Sequence, residues 1–167
     1  MSNNIRRIVM NAAVAALYVV LTLVSYPFAF EAVQFRIAEM LMLLCFFRKD
    51  YSIGLILGCF LANLIMSPIP LDWLIGTAAT AVACLGMIFC KHMVVAMLLP
   101  VISNAVIIGL ELTYLFELPT PLFENMLWVG LGELAVMVVG YIIFLIVFKR
   151  KKMLEFFQAN QNLDWKF

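Results

Sequence analysis

Charge is what this chain has least of. Asp, Glu, Lys and Arg make up only 13% of its 167 residues, while 66% are hydrophobic. A soluble domain carries about 25% charged and about 45–50% apolar residues. The chain falls outside both ranges and is expected to be an all-α integral membrane protein. A single histidine, His92, and the lack of any cluster of ligating side chains predict no metal site. Cys45, Cys59, Cys84 and Cys90 all lie in apolar stretches and form no CxxC pair, so each reads as a small hydrophobe. No GxxxxGK[ST] loop is present, which excludes nucleotide hydrolysis by that route. There is no Ser–His–Asp or zinc-binding pattern, so neither catalytic residues nor a cofactor are assigned. The net charge of +1 predicts no nucleic acid or other polyanionic partner. No internal repeat is visible, which argues against a self-sufficient inverted-repeat carrier.

The length suits one membrane domain, residues 1–167, with 149–167 as a cytoplasmic tail. The basic start "MSNNIRRIVM" imitates a signal peptide. Its apolar part is too long, however, and no small-residue cleavage site closes it, so it reads as a first transmembrane helix. A spanning helix needs about 20 apolar residues. Six candidates follow: 5–27, 36–47, 51–66, 71–90, 94–116 and 122–148. The second and third are short, so they must thin the bilayer, be shielded by neighbours or border a water-filled vestibule. The apolar runs are continuous rather than alternating, which excludes a β-barrel.

The basic breaks hold Arg6 and Arg7, Arg48 and Lys49, Lys91, and Lys149 to Lys152. All four fall on one side of a six-pass arrangement. The positive-inside rule therefore predicts both termini in the cytoplasm of a multi-pass plasma-membrane protein. The opposite loops carry Glu31, Glu117 and Glu124, with Pro68, Pro70, Pro119 and Pro121 to stop the helices. The last residues form a short amphipathic tail suited to the inner surface.

Ionisable groups inside a span are costly, by about 2.5–3.5 kcal/mol at the helix centre on insertion scales, and they usually face a cavity or a partner. Here they are Arg36, Glu39, Glu111 and Glu133, with Asp72 opening the fourth span. Gln34, Asn63 and Asn104 add neutral polar groups. All these positions fall in the outer half of the bilayer, the layout of a pocket entered from outside. Several have plainer readings. Asp72 either caps a helix or contacts a ligand. Arg36 and Glu39 either neutralise each other at i, i+3 or contact a ligand. Asn63 and Asn104 are equally suited to hydrogen-bonding between helices. Glu111 and Glu133 lack an obvious basic partner. One cation against four acids makes the pocket net negative, which suits a cationic or N–H-rich ligand. Phe35, Trp73, Tyr114 and Trp128 lie near the same level, where aromatics either stack on a flat ring or form an interface belt. Gly54, Gly58 and Ala62 are four apart and read as packing within the chain, whereas Ala12 and Ala16 are equally suited to docking another membrane protein.

Five dispersed stretches, "AVQFRIAEML", "GLILGCFLANL", "PLDWLIGTAAT", "NAVIIGLEL" and "GLGELAV", together resemble the QueT family. These are substrate-binding S components of energy-coupling factor (ECF) transporters for queuosine precursors. The resemblance runs in order from about residue 5 to 148. It implies six helices, an outward-facing pocket, and a shared transmembrane coupling protein with two cytoplasmic ATPases. It also implies that Ala12 and Ala16 contact the coupling protein. The implied ligand is a 7-deazaguanine: preQ1, preQ0 or queuine. No ligand contacts are carried over from the family. The pocket agrees with that class, since one carboxylate can accept N1–H and the exocyclic amine together. We assign Gln34, Phe35, Arg36, Glu39, Asn63, Asp72, Asn104, Glu111, Trp128 and Glu133 to the substrate site. Glu111 or Glu133 takes the guanine edge, another acid takes the aminomethyl cation of preQ1, and Gln34, Asn104 or Arg36 donates to the carbonyl. The alternatives are an S component for another small vitamin and a proton-coupled carrier in which Glu111 and Glu133 relay protons.

Overall fold

The computed structural model describes residues 3–29, 35–68, 71–116 and 119–159. Its elements are all helical: α1 (Asn3–Val24), α2 (Tyr26–Ala29), a 3₁₀ segment (Ile37–Leu43) running into α3 (Leu44–Phe47), α4 (Tyr51–Met66), α5 (Asp72–Ile88), α6 (Met93–Tyr114), α7 (Leu122–Phe148) and α8 (Lys151–Phe156). Length and composition make α1, α6 and α7 long and apolar enough to cross a membrane, and α4, α5 and the 37–47 segment are shorter apolar helices. Large apolar side chains such as Ile8, Leu23, Ile65, Leu85, Ile102 and Ile146 lie exposed on the outside. An apolar exterior of this extent marks a surface that faces lipid. The chain is an all-α integral membrane protein.

The helices close into a ring. α1 packs on α4, α4 on α5, α5 on α6 and α6 on α7, and the 3₁₀ segment closes the circle between α7 and α1. Gly54 lies against Asn11 and Gly58 against Ala15 and Tyr18, so α1 and α4 run parallel and nearly touch. A Cβ at Gly54 would stand 2.5 Å from the Asn11 carbonyl oxygen, and one at Gly58 would stand 2.8 Å from Tyr18 Cβ. Small residues four apart permit this approach.

The expected second span differs in geometry. Seven of its residues wind as a 3₁₀ helix, which rises about 2.0 Å per residue rather than about 1.5 Å. Eleven residues thus reach further than an α-helix of that length. Ala38, Glu39 and every residue from Leu41 to Phe47 are buried. Protein rather than lipid surrounds the segment, which is how so short an element is accommodated.

The two ends of the bundle differ. The end bearing the basic breaks is filled by aromatic rings. Phe47 stacks on Phe148 at 3.9 Å between centroids, Phe144 lies 5.4 Å from Phe148, and Phe157 packs on Phe148 and edge-on to Tyr51. The Tyr51 hydroxyl donates to the Phe157 carbonyl, and Arg6 donates to that of Phe156. Arg48 donates to Gln158. These bonds hold the chain after α7 against the bundle. Asp50 Oδ2 accepts from Arg7 at 2.7 Å and from Arg48 Nη2 at 2.9 Å. Burial pushes the Asp50 carboxyl up, but the bonds from Arg48 and Arg7 outweigh it and hold it below the usual carboxylate range.

Candidate ligand-binding site

The opposite end holds the polar side chains. Arg36, Glu39, Asn63, Asp72, Asn104, Glu111 and Glu133 are all buried, none more than 7% exposed. They come from the 3₁₀ segment and its lead-in, α4, α5, α6 and α7, so folding brings together residues almost a hundred positions apart.

Arg36 sits just before the 3₁₀ turn in extended backbone (φ −92°, ψ 96°). It is therefore off the helical face that carries Glu39, and the i, i+3 pairing with Glu39 is not what forms. Instead Arg36 Nη2 pairs with Asp72 Oδ2 at 3.2 Å, and Nη1 donates to Asn63 Oδ1 at 3.2 Å. Asn63 Nδ2 donates in turn to the Asp72 carbonyl at 3.3 Å. This triangle ties α4 to α5, the interhelical role open to Asn63. Asp72 does not cap its helix. The N-cap is Leu71, held in the left-handed region at φ 71°, and the Asp72 side chain turns to Arg36. A bulky residue in that region is strained by roughly 1–3 kcal/mol, and here the strain sits beside the ion pair. Gly76 leaves room for the triangle, since a Cβ there would stand 2.5 Å from both Asn63 Nδ2 and Asp72 Oδ1.

Glu39 Oε1 accepts from the Tyr18 hydroxyl at 2.6 Å. Asn104 on α6 stands beside Glu133 on α7. Glu111 shares the inner face of α6 with Asn104, and the charged groups acting on it are Asp72 and Arg36. Five buried carboxylate oxygens have no hydrogen-bond partner among the described residues: Glu39 Oε2, Asp72 Oδ1, both oxygens of Glu111, and Glu133 Oε1. A buried polar atom left without a partner costs about 1–3 kcal/mol, and this cluster leaves several such atoms together.

Other expected residues lie elsewhere. Gln34 is outside the described residues. Phe35 is half-buried. Trp128 does not join the cluster: it is 43% exposed, with its indole N–H aimed at Glu124. It lies five residues from Glu133, about 140° around the helix, so an inward Glu133 turns Trp128 outward. Tyr114 and Trp73 are also exposed, in keeping with the belt reading. Ala12 and Ala16 both face outward. Ala12 lines an open groove of about 580 Å³ between α1 and α4 at the basic end, together with Arg7, Ile8, Asp50, Ile53 and Leu57.

Several participants were not anticipated. Tyr18 and Thr22 on α1, and Ser25 just past its end, are buried. With Asn11, which bonds to the Gly54 amide, their spacing of seven, four and three residues is a helical signal that could have exposed them. Cys59 is more than filler, since Thr80 Oγ1 donates to its sulfur at 3.2 Å. Buried Asn125 links Thr113 on α6 to Thr120. Ser103 donates to the Ala79 carbonyl across α5 and α6.

A lipid-facing helical ring enclosing unpaired carboxylates at one end defines a membrane protein organised around a buried polar site. Residues 8–149 match the family described as QueT transporter, and the chain belongs to that family. That family is described as one of transporters. A curated relative, the Queuosine precursor transporter QueT of Lactococcus lactis subsp. cremoris (strain MG1363), is 39% identical over 77 residues, 45% of this chain and 45% of the relative. The match thus spans somewhat under half the length of that relative. No solved structure matches the chain.

Proposed function

We propose that this chain is the substrate-binding S component of an ECF-type importer, and that it captures a queuosine precursor of the 7-deazaguanine class. The observation that carries the reading is the set of five buried carboxylate oxygens without partners among the described residues. A 7-deazaguanine presents the N–H donors that such oxygens accept. The relative's name, a queuosine precursor transporter, agrees with that chemistry. The site opens to the exterior of a plasma-membrane protein with six passes and both termini in the cytoplasm. The basic breaks and the aromatic packing at the basic end support this orientation.

The chain carries no P-loop, so ATP hydrolysis falls to two separate ATPase subunits joined through a transmembrane coupling protein. The outward Ala12 and Ala16 form the face that docks the coupling protein, and the adjoining groove between α1 and α4 gives that face relief.

The test is calorimetric titration of the purified chain with preQ1, preQ0 and queuine, alongside mass spectrometry of small molecules that co-purify. Saturable binding of at least one 7-deazaguanine is expected. Binding of none of them, together with another solute co-purifying, overturns the reading.

A further inference from the structure

The carboxylate cluster has two poles of different chemistry. At the deeper pole, Asn104 on α6 stands beside Glu133 on α7, and Glu133 Oε1 is buried with no partner among the described residues. This pole presents an amide beside a carboxylate, so a donor stands next to an acceptor. At the other pole, both oxygens of Glu111 are buried and unpartnered. Asn104 and Glu111 lie on one face of α6, seven residues apart, which is about 10 Å along the axis. The poles also have different neighbours. Asp72 and Arg36 act on Glu111, whereas Glu39 and Arg36 act on Glu133. Arg36 is engaged with Asp72 and Asn63 across α4 and α5, and Glu39 Oε1 is taken by Tyr18.

We propose that the two poles divide the ligand. Glu133 and Asn104 read the N–H and C=O edge of the base, and Glu111 binds a cationic substituent at its far end. The inference rests on the 7-deazaguanine reading above and resolves which acid does what. The base edge sets a carbonyl acceptor beside two N–H donors, so a carboxylate and an amide together match it. An ammonium needs only acceptors and negative charge. Glu111 supplies two oxygens that no donor among the described residues occupies. The site would therefore prefer the 7-aminomethyl compound, preQ1, over its uncharged 7-cyano counterpart, preQ0.

The experiment is titration of both compounds against the purified full-length chain and its variants at neutral pH. Glu111→Gln keeps the shape and removes the charge. It should weaken preQ1 by about tenfold or more and leave preQ0 within about twofold. Glu111→Asp keeps the charge and should retain part of the preference for preQ1. Glu133→Gln and Asn104→Leu should weaken both compounds alike. Equal weakening of both ligands by Glu111→Gln, or of neither, overturns the division while leaving the ligand class standing. A selective loss of preQ1 in Glu133→Gln reverses the assignment and overturns it too. If the unmodified chain binds neither compound nor queuine, the ligand class itself falls. Matched melting temperatures and elution profiles separate these outcomes from misfolding, and Glu111→Asp remains informative if Glu111→Gln is unstable.

Discussion

The Tyr18 hydroxyl donates to Glu39 Oε1 at 2.6 Å, with both side chains buried. This bond joins α1, the helix that presents Ala12 and Ala16 outward, to the polar cluster within the ring. Tyr18 also packs on Gly58, so its position sets how closely α1 rests on α4.

Tyr18→Phe removes the hydroxyl and leaves Glu39 with neither oxygen paired. Losing a hydrogen bond to a charged group costs about 1.5–3 kcal/mol. The variant should unfold at a lower temperature in detergent and lose transport in the reconstituted complex. If both properties stay within error of the parent, the bond does not couple α1 to the cluster.

Gly76→Ala is a sharper test, because the generic expectation points the other way. Alanine is favoured over glycine inside a helix by about 1 kcal/mol. Here the added methyl would stand 2.5 Å from Asn63 Nδ2 and Asp72 Oδ1. We expect net destabilisation of about 1–3 kcal/mol from overpacking and roughly tenfold weaker ligand binding as the Arg36 triangle shifts. A melting temperature at or above that of the parent would show that the triangle does not need this gap.

Ala12→Trp and Ala16→Trp add bulk to an outward face of α1 without touching the interior. Ligand affinity of the isolated chain should stay within about twofold, while co-purification with the coupling protein is lost. Retained assembly would place docking on another face.

At the basic end, Asp50 governs a pH dependence. Its carboxyl is held below the usual range, so ionised Asp50 favours the folded state. That contribution is complete above the unfolded carboxyl value of about 4 and fades as pH falls through the lower folded value. Asp50→Asn should therefore melt below the parent at pH 7, and the gap should close on acidification below about pH 4. A gap that widens on acidification would contradict this sign.

Much of the fold is legible in the sequence. The expected spans 51–66 and 122–148 coincide with α4 and α7, and the close approach of Gly54 and Gly58 to α1 follows from their spacing. Glu111, Glu133 and Asn104 are recognisable because polar groups are so rare in these spans. Trp128 shows the limit. Depth along a helix can be counted from the sequence, but rotation about its axis depends on which neighbours pack there. The same holds for Tyr18, whose partner Glu39 belongs to another helix, and for Gly76, whose meaning comes from side chains on α4 and the lead-in to the 3₁₀ segment.

The sequence alone determined that the chain is a helical membrane protein and which polar residues within its spans are exceptional. A bilayer acts on each segment separately, through length and hydropathy. Only the tertiary structure decided that Arg36 pairs with Asp72 rather than Glu39, that the second span winds as a 3₁₀ helix inside the ring, and which carboxylate oxygens lack partners. Those outcomes depend on packing between segments distant in sequence, which no local pattern encodes.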